Sequence, residues 1–203
     1  SGFSFKWYGT LLRDRDMLNA AWLSLKLAFF SATGAVVLGT LASLVMTRMR
    51  YFRSRTLFGA LITAPLVMPE VILGLSLLLL FVSMGNALNG LGIGQFQPKG
   101  VITLWIAHVT FTLAFVTVVI SSRMSELDKS LEEAAMDLGA NRVKVFFQIT
   151  LPIIAPALVS GWLLAFTLSL DDVVISSFVS GPGSTTLPIK VFSSVRLGLN
   201  PKI

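Results

Sequence analysis

The sequence predicts an all-α integral membrane protein with four transmembrane helices. Three observations carry this. Hydrophobic residues make up 54% of the 203-residue chain and charged residues only 13%, where soluble domains carry ~25% charge. Four apolar stretches are each long enough to cross the hydrocarbon core of a bilayer. Between the third and fourth lies a single compact amphipathic island, from Glu133 to Pro152. A soluble chain of this length can bury a respectable core, but it cannot hide this much apolar surface without lipid. No stretch alternates strictly over many residues, so a β-barrel is not expected.

The first stretch runs from about Leu18 to Met46 and carries no charge after Lys26, whose stem can lead its ammonium to the interface. Within it Ala35, Gly39 and Ser43 recur at four-residue spacing, a ridge of small residues suited to close helix packing. The second stretch, about Leu57 to Met84, is interrupted by Pro65, Pro69 and Glu70. As one straight helix it would extend ~42 Å, longer than the ~30 Å core, so a kink or an interfacial first piece is expected. The third stretch, about Val101 to Ser122, holds the only histidine, His108. The fourth begins at Pro152 and continues to about Phe178, with Asp171 and Asp172 towards its far end.

Basic residues orient these spans. Arg48, Arg50, Arg53 and Arg55 fall in the first loop with no acid, and Arg123, Lys129, Arg142 and Lys144 in the third, whereas the loop from Gly85 to Gly100 has only Lys99. The positive-inside rule places the first and third loops in the cytoplasm and both chain ends outside, although Lys6, Arg13 and Arg15 count against it. The net charge of +6 is explained by bases beside apolar runs and does not indicate nucleic acid.

The amphipathic island is built for docking. Ser130 is expected to cap a short helix, with Glu133 completing a capping box and Glu132 favouring its positive end. Leu131, Ala134 or Ala135, and Leu138 share a face, and Gly139 suits a left-handed exit. Asn141 is expected to cap a second short helix carrying Val143, Phe146 and Phe147, before Leu151-Pro152 opens the next span. A nearly flat Ala-Ala face lets another protein approach closely.

Glu133-Ala134-Ala135, Gly139, Ile149 and Leu151-Pro152 resemble, in type and spacing, the "EAA" signature of permease subunits of binding-protein-dependent ABC importers. The resemblance implies a type I ABC importer permease fold, with a coupling loop at about 123–151 whose cytoplasmic coupling helices seat in a groove of an ATPase subunit. Glu133 would orient the coupling helix, Ala134 and Ala135 would permit docking, and Gly139, Leu151 and Pro152 would set the turn and the return into the membrane. Such permeases commonly have six spans. Residues 1–203 therefore read as one permease domain continuing before Ser1 and after Ile203. The implied partners are a second, non-identical permease, two ATPase subunits that use ATP and Mg, and a periplasmic substrate-binding protein. The implied location is the bacterial inner membrane. This chain would bind no cofactor itself and would not be an enzyme.

Within that family the chain is similar to polyamine (putrescine or spermidine) importers at Ala64–Glu70, Glu132–Pro152, Ser160–Asp172, Ser177–Gly183 and Thr186–Pro188. Carboxylates in a span are costly and usually face a cavity, partner or path. Asp171, Asp172 and Glu70 thus have a functional reading, compensating the ammonium groups of a polyamine as they leave water, beside a structural one, as helix-end or kink residues. Only one of Asp171 and Asp172 is expected to face the path, since adjacent helix positions point about a hundred degrees apart. His108 reads as packed and hydrogen-bonded. The alternatives are an importer of another small solute, or an ion-coupled secondary transporter with His108, Glu70 and the aspartates as its relay. Other chemistry lacks its residues: there is no phosphate loop ending in Lys-Ser/Thr, and one histidine without cysteine does not suggest zinc. Gly90, Gly92 and Gly94 form a flexible turn, and the external loop from Gly181 to Pro188 can contact a delivery protein.

Overall fold

The computed structural model describes residues 13–49, 53–92 and 96–196. Lys6, Arg50, Gly94 and both chain ends lie outside them. Helix α1 is Arg15–Arg48, α2 is Arg55–Val67, α3 is Glu70–Gly90 and α4 is Val101–Glu126. The island forms α5 (Lys129–Asp137), α6 (Arg142–Val145) and a π-helical turn, Phe146–Thr150, that runs directly into α7 (Leu151–Asp171). Two short helices follow, α8 (Val174–Val179) and α9 (Leu187–Arg196). Four helical runs among the described residues are long and apolar enough to span a membrane: α1, α3, α4 and the run Arg142–Asp171.

Local chemistry sets most boundaries. Asp14 starts α1 by accepting the Met17 amide at 3.3 Å. The second apolar stretch breaks as its prolines predict, into α2, with Pro65 inside it, and α3, entered from Pro69. Pro69 has no polar side-chain atom with which to cap, but Glu70 in the first turn is favoured by the helix dipole. The fourth stretch differs from expectation. It does not continue to Phe178 but stops at Asp171 and restarts at Val174, because the Asp172 carboxylate captures the first amides of α8.

The chain forms two units. Among the described residues, one comprises those up to Ser31, Met68–His108 and those from Thr167 onward. Here α3 packs on α8 through Gly74, where an added Cβ would lie 2.8 Å from the Phe178 ring and 3.3 Å from the Ile175 Cα. Leu73, Leu77 and Phe81 of α3 and Ile175 and Val179 of α8 are buried. The Leu187 amide that opens α9 donates to Ser24 Oγ at 2.8 Å.

The other unit comprises Ala32–Val67 and Val109–Phe166. Its core joins Ala32 and Ala35 of α1, Val116, Ile120 and Met124 of α4, Leu127, and Ile154 and Ala165 of α7. The small-residue ridge is part of this packing. A Cβ at Gly39 would lie 2.9 Å from Val116 Cγ1, and Ser43 Oγ donates to the Thr117 carbonyl at 3.1 Å while accepting from Ser121 Oγ at 3.0 Å. Interhelical hydrogen bonds of this kind average roughly 0.6 kcal/mol in a bilayer, so close contact, permitted by the missing side chain, is the larger contribution.

Candidate functional site

Helix α5 begins two residues earlier than its sequence suggests. Its cap is Asp128, whose Oδ1 accepts the Ser130 amide at 3.0 Å. Ser130 is therefore already helical, and the expected Ser130–Glu133 capping box does not form. The bond from the Ser130 amide holds the Asp128 carboxyl below its usual range. Glu133 is left exposed, beside exposed Ala134 and half-buried Ala135.

The exit of α5 follows the glycine. Gly139 has φ +87°; its amide bonds the Met136 carbonyl at 2.9 Å and the next amide, Ala140, reaches back to Ala135 at 3.0 Å. This pair of bonds satisfies the orphan carbonyls of a helix end and requires a left-handed residue at that point. Leu138 is 90% exposed and Leu131 and Met136 are exposed as well, so the helix presents apolar side chains outward. Asn141 caps α6 as expected, accepting the Lys144 amide at 2.8 Å. Pro152 has no amide hydrogen with which to continue an α-helical ladder, and the helix widens to a π turn just before it, the Leu151 amide bonding Phe146.

Sequence alone gives Glu132 no more than a favourable charge, and the structure gives it three hydrogen bonds. Its Oε1 accepts from Arg48 Nε at 3.1 Å, Arg48 Nη2 at 2.9 Å and Thr150 Oγ1 at 2.9 Å. The arginine cluster is visible as a charge signal, but 84 residues of sequence separation conceal the pairing.

The two adjacent aspartates have opposite environments. Asp171, the last residue of α7, is exposed. Asp172 is 8% exposed; its Oδ1 accepts the Ile175 amide at 3.2 Å and its Oδ2 the Ser176 amide at 2.7 Å. His108 is buried beside it, Nδ1 bonded to Ser169 Oγ at 2.7 Å and Nε2 to Ser176 Oγ at 2.9 Å. His108 is packed and hydrogen-bonded, as its apolar setting predicts. Glu70, at the start of α3, is exposed. It lies one turn before Gly74, which packs on α8.

The model of the family "binding-protein-dependent transport system inner membrane component" matches residues 35–198. The chain belongs to this family. The inner membrane component is 62% identical, over all 203 of its residues and 70% of the relative, to the putrescine transport system permease protein PotI of Escherichia coli strain K12. It is 42% identical over 202 residues, covering 74% of the relative, to the spermidine/putrescine transport system permease protein PotC of Haemophilus influenzae. Among solved structures it is similar to the MetNI methionine ABC transporter in inward-facing conformations, with a TM-score of 0.71 at 16% identity over 91% of this chain and 82% of that one. It is also similar to a bacterial ABC transporter involved in the import of the acidic polysaccharide alginate, with a TM-score of 0.72 at 18% identity over 100% of this chain and 67% of that one. These likenesses establish the type I ABC importer permease fold.

On this inner membrane component the candidate residues fall in separate units. Glu133, Ala134, Ala135, Gly139, Leu151 and Pro152 belong to the unit that holds the island, and Glu70, Asp171 and Asp172 to the other. Among the described residues no group of His, Cys, Asp or Glu could hold a metal ion.

Proposed function

We propose that this chain is a permease subunit of an ATP-driven polyamine importer, with putrescine as its substrate. The observation that carries this reading is the 62% identity to a putrescine permease over the whole chain. A periplasmic binding protein delivers the solute to the outer face of a pair of non-identical permeases. Two ATPase subunits, using ATP and Mg, close on the cytoplasmic side and move α5, Lys129–Asp137. The exposed Glu133, Ala134 and Leu138 support its role as the docking surface, with Gly139 setting its exit and Leu151-Pro152 returning the chain to α7, which ends at Asp171.

Asp171 and Glu70 supply the negative charge that an ammonium group needs on leaving water. Asp172 contributes to structure, because burial and the amides of α8 already engage it.

The test reconstitutes the full-length subunit with its partner permease and ATPase in proteoliposomes, with binding protein and radiolabelled putrescine. ATP-dependent and binding-protein-dependent uptake, competed weakly by spermidine, is the expected result. Stimulated ATP hydrolysis without polyamine uptake would retain the coupling role and discard the substrate.

A further inference from the structure

We infer that Arg48, Glu132 and Thr150 form a transmission node, through which movement of the docking helix is passed to α1 and α7 of the same chain. This rests on the coupling role proposed for α5. Helix α5 contributes no buried side chain, so apolar packing holds it weakly. What links it by hydrogen bonds to α1 and to the turn before α7 is a polar contact at one atom. Glu132 Oε1 receives two bonds from Arg48, the last residue of α1, and one from Thr150, the last residue of the π turn that leads into α7.

The setting makes this contact more than a surface ion pair, which is commonly worth little. The two charged side chains are only 17% and 15% exposed, and Thr150 is buried. Arg48 presents two adjacent N–H groups of its rigid fork, which fixes direction as well as distance. A lysine could not reproduce that geometry. The node lies in the wall of a groove of about 560 Å³ lined also by Leu41, Leu44, Met136, Phe146 and Phe147, so space remains beside it for the helix to shift. Adjacent glutamates divide the work: Glu133 faces outward, and Glu132 faces its own chain. Arg48 and Thr150 are accordingly positioning residues for energy coupling.

The experiment measures ATP hydrolysed per putrescine transported, in the reconstituted complete transporter, for wild type, Arg48→Glu, Glu132→Arg, the double exchange, Thr150→Val and Thr150→Ser. Each single charge reversal is expected to raise that ratio about five-fold or more, in the range of typical site-to-site coupling, and the double exchange to bring it back within about two-fold of wild type. Thr150→Val, nearly equal in shape and lacking the hydroxyl, should raise the ratio, and Thr150→Ser should leave it near wild type. Hydrolysis and uptake falling in proportion in the single reversals, with no recovery in the exchange, would overturn the node. So would an unmoved ratio in Thr150→Val, a variant mild enough to assemble. Hydrolysis without putrescine uptake in the wild type would instead discard the proposed substrate, a distinguishable failure.

Discussion

His108 Nε2 lies 3.4 Å from Asp172 Oδ2, with both side chains buried. The histidine comes from α4 and the aspartate from the break after α7, and the two serines bonded to the ring come from either side of that break. The cluster is a polar staple that decides where the fourth span ends. Removing the Asp172 carboxylate strands the buried Ile175 and Ser176 amides it accepts, and a buried donor left without its partner costs about 1–3 kcal/mol, whereas exposed substitutions stay within ~0.5 kcal/mol. Asp172→Ala should therefore lower the thermal unfolding temperature of the detergent-solubilised transporter markedly, and Asp171→Asn hardly at all. For uptake the order should reverse among well-folded proteins: Asp171→Asn folds normally yet transports poorly. Equal melting shifts in the two variants would contradict the assignment of Asp172 to structure.

Gly139 faces open space, with nothing within 4 Å of the position a Cβ would take, so a side chain there would meet no clash. Its constraint is the backbone, at φ +87°, which costs an ordinary residue about 1–2 kcal/mol. Gly139→Val should lower uptake while membrane insertion and complex assembly persist. Gly139→Asn should be the milder change, since asparagine tolerates the left-handed region. Measured uptake in the order glycine, asparagine, valine checks this, and wild-type uptake in the valine variant would refute it.

The spans, the proline break at Pro65 and Pro69, the Gly139 exit and the Asn141 cap are all legible in the sequence, because each rests on local chemistry. The family is legible in the spacing from Glu133 to Pro152. Three features are not. Asp128 wins the cap over Ser130 because a carboxylate two residues earlier is already in reach of the first free amides, and a capping-box pattern cannot show that competition. The end of α7 depends on the Asp172 carboxylate turning to the Ile175 and Ser176 amides beside the buried His108 of α4, which hydropathy cannot register. Glu132 and Glu133 look alike in sequence, and only packing shows that one is tied to Arg48 and the other is free to meet a partner.

The Asp128 cap carries a pH dependence of known sign. Its carboxyl is held below the usual range by the Ser130 amide, so the folded helix start favours the ionised form. That contribution is fully present above the unfolded value, about 3.9, and is lost as pH falls through the lower folded value. Amide exchange across residues 129–137 should therefore accelerate relative to Asp128→Asn as pH drops below about 4. Asparagine also caps but does not titrate, so parallel profiles in the two proteins would remove the carboxylate from the account.

Gly39 tests the packing of α1 on α4 in the unit that holds the island. A Cβ there would lie 2.9 Å from Val116 Cγ1, 3.3 Å from Thr117 Oγ1 and 3.4 Å from the Thr117 amide nitrogen. The first two are tight and both are with side chains, of which Val116 can be shortened without touching Thr117; the third is an ordinary van der Waals approach. Gly39→Ala should destabilise by about 1–3 kcal/mol, the usual cost of overpacking. Val116→Ala should recover part of that loss but not all, because the Thr117 contacts remain. A double-mutant cycle on thermal or denaturant unfolding gives the coupling energy directly. A coupling near zero would mean that the helices separate to admit the methyl group, and the ridge would then be a tolerance of the fold, not its close contact.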